Sequence, residues 1–156
     1  MVASAAPITG LDVLRAVSAG LMETPPAAAL LGWTALSLEP GHIRVRYTAR
    51  PEFGNPQGAI QGGVLAAMLD DALGPALFTL LAAEDFAPTI EMKVNFVRPA
   101  RPGPLIAEGR VVHQTRSIAF LEGTLATEDG DLVATATATA RIIPSAGNKL
   151  QHADSG

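Results

Sequence analysis

The feature that most constrains this chain is one apolar segment in its middle, "GGVLAAMLDDALGPALFTLLA", residues 62–82. It is the one element long and apolar enough to serve as the inside of the molecule, because the stretches around it alternate with period two. A glycine-rich loop, "GNPQGAIQ", leads into it, and two consecutive aspartates, Asp70 and Asp71, sit within it. A helix built for burial that carries two carboxylates needs a reason for them.

Strand patterns lie on both sides of this helix. "WTALSLE" and "HIRVRYTAR" flank the turn dipeptide Pro40-Gly41, and in the second Ile43, Val45 and Tyr47 alternate with Arg44, Arg46 and Thr48. After the helix, "TIEMKVNFVR" places Ile90, Met92, Val94 and Phe96 on one face. "PLIAEGRVVHQ", "SIAFLEGTLATE" and "DLVATATATARII" follow, the last two joined by a tight turn around Gly130. These four runs read as an antiparallel meander. Such a sheet needs one face covered, and only the 62–82 helix can cover it. The expected class is therefore α+β: an antiparallel sheet of about six strands wrapped around one long central helix, the hotdog architecture.

Ahead of the sheet, "TGLDVLRAVSAGLM" (9–22) sets Leu11, Leu14, Val17 and Leu21 at helical spacing behind Thr9 as N-cap. "PPAAALLG" (25–32) reads as a short helix running from proline to Gly32. The expected organisation is an N-terminal helical segment (1–32) packed on the domain, the hotdog domain itself (33–143) and a flexible tail (144–156).

Composition narrows the function classes. A chain of 156 residues that is 48% hydrophobic supports one domain with a true core, and with 4% aromatics that core must be Ala, Val, Leu and Ile. The net charge of −4, without a run of Lys or Arg, argues against a nucleic-acid partner. The lack of cysteine excludes disulfides, thiol catalysis and cysteine metal sites. No apolar run is long enough to span a bilayer, and the N-terminus lacks the basic-then-apolar order of a secretory signal. The expectation is a cytoplasmic protein with no membrane partner. His42, His113 and His152 lie far apart without ligand spacing, so no metal site is expected. The nucleophile elbow, the P-loop and the dinucleotide fingerprint are all missing.

At about 100° per residue, Val64, Leu65, Met68, Leu69, Ala72 and Ala76 form the broad apolar side of the helix. Asp70 falls among Gly63, Ala66, Ala67 and Gly74, in a groove cut by small side chains where another molecule can approach, with Leu77 and Phe78 as its wall. Asp71 falls on a different side, near Val64, Pro75 and Phe78, and is expected to make a local hydrogen bond or ion pair. Desolvation by the surrounding sheet would raise a carboxylate's pKa and make it a better base. At the helix start, Gly58, Gly62 and Gly63 coincide with unpaired N–H groups and the positive end of the dipole, where an oxyanion would be stabilised. An aspartate facing water and a glycine-rich turn are the plainer alternatives. The combination of donor and carboxylate in one helix is what directs attention to chemistry.

These residues resemble a known signature. "NPQGAIQGGVLAAMLDDALG" is similar to the N-x-x-G-x-x-H-G-G-x-x-x-x-L-x-D pattern of hotdog-fold acyl-CoA thioesterases of the phenylacetate-pathway type. "PTIEMKVNFVRPARPG" and "RSIAFLEGTL" are similar to later strands of that family, so the resemblance runs over roughly 35–143. It implies that Asp70 is the catalytic carboxylate, attacking the thioester carbonyl or activating a water. It implies that the Gly62 N–H polarises the carbonyl, that Asn55 holds the lytic water or the carboxylate, and that Thr89 positions water. In this family the site lies between subunits, so a homo-oligomer, a dimer or a dimer of dimers (homotetramer), is expected. Where the family has histidine, this chain has Gln61, which can hydrogen-bond but cannot titrate near neutrality. Gly58, Gly63 and Ala66 fall in the implied substrate groove. Arg98, Arg101, Arg116 and Ser117 are candidates for the coenzyme A phosphates, since guanidinium suits both of them. No cofactor is implied, coenzyme A being part of the substrate. Two rivals stand beside this reading: a hotdog protein that binds acyl-CoA as sensor or carrier without turnover, and a hydratase, against which the missing histidine argues.

Overall fold

A computed structural model describes residues 7–145 of the chain. His152 and the expected tail from residue 146 onward lie outside the described residues. The elements, in order, are α1 (Gly10–Ser18), α2 (Pro26–Leu31), β1 (Thr34–Glu39), β2 (His42–Ala49), α3 (Gly62–Phe78), β3 (Thr89–Phe96), β4 (Gly103–Gln114), β5 (Ile118–Thr127) and β6 (Leu132–Arg141). The six strands form one antiparallel sheet in the order β1-β2-β4-β5-β6-β3, curved around α3. This is the hotdog arrangement.

The alternation in the strands decides which face turns inward. Ile43, Val45 and Tyr47 of β2, Leu105 and Ala107 of β4, and Leu121 and Leu125 of β5 are all buried against Leu65, Met68, Leu69, Ala72, Leu73, Ala76 and Leu77 of α3. In β6 the inward positions are Ala134, Ala136, Ala138 and Ala140, while threonines alternate outward. The tightest approach is a notch at the paired glycines Gly109 and Gly123, which receive the Ala72–Leu73 turn of α3.

The structure corrects the sequence reading in three places. The four runs after α3 are not one meander: β4, β5 and β6 are, but β3 pairs with β6 at the far edge of the sheet. The connection from β3 to β4, "VRPARP", is proline-rich and cannot make a tight hairpin. It passes beneath the start of α3, where the Ala100 carbonyl accepts from the Ile60 N–H at 2.8 Å. The central helix also stops at Phe78 rather than running to 82. Thr79 turns its hydroxyl back onto the Ala76 carbonyl (2.7 Å) and accepts the Gly41 N–H (2.6 Å), tying the helix end to the β1–β2 turn. Finally, α1 ends at Ser18, because Gly20 takes a left-handed φ of 72°, and this leaves Leu21 81% exposed. Thr9 does cap α1 reciprocally with Asp12. Gly32 closes α2 in the left-handed conformation. Among the described residues no helix is long and apolar enough to cross a membrane.

Candidate active site

Two clusters of the expected residues stand apart along α3, one at its start and one at its middle. At its start, the loop from Gly54 to Gln61 is organised by Asn55. The Asn55 Oδ1 accepts from the N–H groups of Gln57 (3.0 Å) and Ala59 (3.1 Å), and its own N–H reaches the Ala59 carbonyl (2.7 Å). Gly58 makes this possible with φ of 74°. The oxygen of Asn55 is thus committed to the loop, and only its amide N–H₂ can face a ligand. Gln61 is the N-cap of α3: its side-chain oxygen accepts from the Gly63 N–H. The glutamine therefore has a structural task that needs no titration. With Gly63 taken, no described acceptor receives the Gly62 N–H, which remains the open donor at the positive end of the helix.

A cleft of about 330 Å³ opens onto this donor, lined by Asn55, Gly62, Leu65, Phe96 and Arg98 among others. Arg98 forms an ion pair with Asp131 (2.6 Å), and Arg101 reaches the Gln57 carbonyl at 3.4 Å. Both arginines therefore stand at the Gly62 end.

The second cluster surrounds Asp70. Its carboxylate is exposed, and Thr89 Oγ1 donates to Asp70 Oδ1 at 2.9 Å. A register shift in β3 between Thr89 and Glu91 produces this contact. Met92, Val94 and Phe96 face inward as expected, but the shift breaks the parity. Ile90 is left 57% exposed, and Thr89, paired with the inward-facing Ala140, takes the inner face in its place. The desolvation expected at Asp70 by a wrapped helix is thus absent in the single chain. The small residues around it are accessible too, Gly63 and Ala67 exposed and Ala66 and Gly74 in part. Leu77, expected to wall the groove, is instead buried in the core. Arg116 and Ser117 belong to this cluster, in the β4–β5 turn, where the Ser117 carbonyl accepts from Ile142 and the neighbouring Arg141 N–H reaches Pro88.

The two clusters do not meet within one chain. From Gly62 to Asp70, α3 rises roughly 12 Å, eight residues at about 1.5 Å each. One carbonyl cannot touch both groups of the same copy.

Desolvation falls instead on Asp71. Tyr47 donates its hydroxyl to Asp71 Oδ2 at 2.8 Å beneath α1 and α2, beside Leu14, Val17, Trp33 and Pro75. Burial pushes the Asp71 carboxyl up to about 6; the Tyr47 hydrogen bond opposes this and the charge of Asp70 adds to it. Burial also pushes the Tyr47 phenol upward, so it stays a donor. The folded carboxyl thus binds its proton more tightly than the unfolded one, with its ordinary value of 3.8. Its contribution is full below about pH 4 and is lost as pH rises through about 6. The full shift is worth about 3 kcal/mol, which partial exposure reduces to about 1–2 kcal/mol. Asp71→Asn keeps an acceptor for Tyr47 and removes the charge. It should raise stability at pH 7.5 by that amount and leave pH 4 unchanged. Urea titrations at pH 4, 5, 6 and 7.5 check this, and a variant with the wild-type pH slope would refute it.

Comparison with known proteins places these observations in a family. The sequence model of the thioesterase superfamily matches residues 57–134. A phenylacetic acid degradation-related protein from Ralstonia eutropha JMP134 is 33% identical, over 81% of this chain and 97% of its own, with a TM-score of 0.77. The PaaI protein of the E. coli phenylacetic acid degradation operon shares the fold at 23% identity, over 81% of this chain and 91% of its own, with a TM-score of 0.73. A Saccharolobus solfataricus protein provisionally named an esterase is 28% identical over 125 residues, 80% of this chain and 89% of its length.

Proposed function

The chain belongs to the thioesterase superfamily, in its PaaI-like hotdog type, and on that premise we propose that it hydrolyses acyl-CoA thioesters to a carboxylic acid and free coenzyme A. The observation that carries the reading is the Asp70 carboxylate. It is exposed on the small-residue side of the central helix, and it is held by Thr89 through a register shift in β3.

The 12 Å between Gly62 and Asp70 makes the site a two-copy site. β3 is an edge strand with exposed apolar side chains at Ile90 and Phe96, and an open edge favours pairing with a second chain. Antiparallel pairing of β3 with its copy sets the Phe96 end of one chain against the Thr89 end of the other. The Gly62 donor, with Asn55, Arg98 and Arg101, then faces the partner's cluster of Asp70, Thr89, Arg116 and Ser117. The thioester carbonyl accepts from Gly62, and the arginines take the coenzyme A phosphates.

Two routes balance. In one, Asp70 takes a proton from water, whose oxygen attacks the carbonyl; the oxyanion rests on Gly62 and collapses, and the thiolate leaves with the proton. In the other, the carboxylate itself attacks, thiolate leaves, and water hydrolyses the resulting anhydride. Single turnover in ¹⁸O water tests for the second: label in Asp70 requires the anhydride, opened by water at the aspartyl carbon, whereas direct attack of water on the thioester labels only the product acid.

The test is thiol release, followed with a thiol-reactive dye, from short, medium, long and aryl acyl-CoAs; the chain has no cysteine to give background. Sedimentation under assay conditions reads the assembly, a dimer or a dimer of dimers, and an active monomer would defeat the two-copy site. A cytoplasmic location goes with this reading. The capture of Gln61 by the helix cap favours one second reading, an acyl-CoA-binding protein without turnover. There, acyl-CoAs would raise the melting temperature and be recovered intact.

A further inference from the structure

Phe96 has no role in the chemistry above, yet it lies against the residue on which that chemistry turns. It pairs with Ala134 and so faces the concave side of the sheet, but it stands beyond the end of the core and is 55% exposed. Its ring is packed onto Gly62: a Cβ built there would lie 3.2, 3.4 and 3.5 Å from Cζ, Cε1 and Cε2 of the ring. With Leu65 and Ile60 it makes one apolar side of the cleft onto the Gly62 donor, and Asn55 and Arg98 make the polar side.

A carbonyl oxygen that reaches the Gly62 N–H carries two substituents, the acyl carbon and the sulfur. Coenzyme A is drawn by charge to the side of the arginines, which leaves the acyl group the side of Phe96. We propose that Phe96 is the residue that sets acyl-group size: its ring is a fixed wall that admits compact acyl groups to the Gly62 donor and turns away longer or branched ones. This rests on the thioesterase reading and names the feature that selects among its substrates. The same contact links the wall to position 62, where a Cβ would stand 3.2 Å from the ring's Cζ and push it by a few tenths of an ångström.

The experiment compares wild type, Phe96→Ala, Phe96→Leu and Phe96→Trp against the acyl-CoA panel. A wall removed should raise the ratio of kcat/KM for long over short acyl groups about tenfold in Phe96→Ala, the scale on which apolar pockets discriminate. Phe96→Leu should stay near wild type, and Phe96→Trp should move the ratio the other way. Unchanged ratios in Phe96→Ala and Phe96→Trp, with activity retained, would overturn the proposal. If Phe96→Ala is misfolded, Phe96→Leu and Phe96→Trp still decide it. If wild type releases no thiol, the thioesterase reading fails on its own. The wall is then tested by binding of non-hydrolysable acyl-CoA thioethers of two lengths. A length preference that shifts in Phe96→Ala upholds it, and an unmoved preference removes it.

Discussion

Asp70→Asn is expected to lower kcat for thiol release by about a thousandfold or more, the scale seen when the reacting group itself is replaced. It should fold like wild type, because the carboxylate is exposed and its only described side-chain partner is the Thr89 hydroxyl, which an amide oxygen can also accept from. The loss therefore reads chemistry and not stability, provided thermal unfolding is measured alongside. A sharper form uses mixing. If each site takes Asp70 from one copy and Gly62 with Asn55 from the other, Asp70→Asn and Asn55→Ala are each inactive alone. Co-assembled at random they should recover about a quarter of wild-type activity, because half the dimers are mixed and each mixed dimer has one intact site. No recovery from a verified mixed dimer would place both groups of a site in one chain, against the distance along α3. Full activity of Asp70→Asn would end the assignment of the carboxylate.

Gly109→Ala is expected to be the most damaging conservative change in the sheet. The added Cβ would sit 2.5 Å from the Ala72 carbonyl oxygen and 2.8 Å from its carbon, backbone atoms in the middle of α3 that no rotamer change can move. Either the helix lifts from the sheet or β4 bows outward, and both open the packing of Leu73 and Leu69. Roughly 2–4 kcal/mol is the expected cost, a large part of a domain's total stability. In melting temperature that is a fall of roughly 5–15 °C. The same chemical change at Gly74, where nothing lies within 4 Å of the built Cβ, should instead stabilise by up to about 1 kcal/mol, since alanine suits a helix better. Opposite signs for the two variants would establish that proximity, not glycine content, controls the response. Equal effects would show the notch is not where the sheet grips the helix.

Much of this was legible in residue order because it depends on near neighbours. The period-two runs gave the inward face of β2, and that of β3 from Met92 to Phe96. Pro40-Gly41 and the turn around Gly130 gave the hairpins, and the wheel put Asp70 off the buried side of α3. What was not legible depends on distant parts of the chain. That β3 lies beside β6 follows from where a proline-rich connection can pass, not from any pattern within the strand. The partner of Asp71 is Tyr47, two elements away, so spacing suggested only a local contact. Burial ran opposite to expectation for the two aspartates, because coverage by α1 and α2 falls on the Asp71 side. Phe96 read as one more apolar member of a strand face, and only its position past the end of the core shows that it meets Gly62.

The register shift at the start of β3 has a consequence for how this protein tolerates change. Along a regular strand, a residue's face is fixed by counting, and no point substitution alters the count. Here the count itself is offset by one residue between Thr89 and Glu91. Exchanging Ile90 for another side chain leaves Thr89 facing Asp70, whereas inserting one residue between Ile90 and Glu91 lets the strand alternate without an offset, puts the newcomer opposite Ala140 and moves Thr89 two places along, away from Asp70. At this corner the molecule is written in chain length rather than in letters, so an added codon does there what no missense change at Ile90 can do.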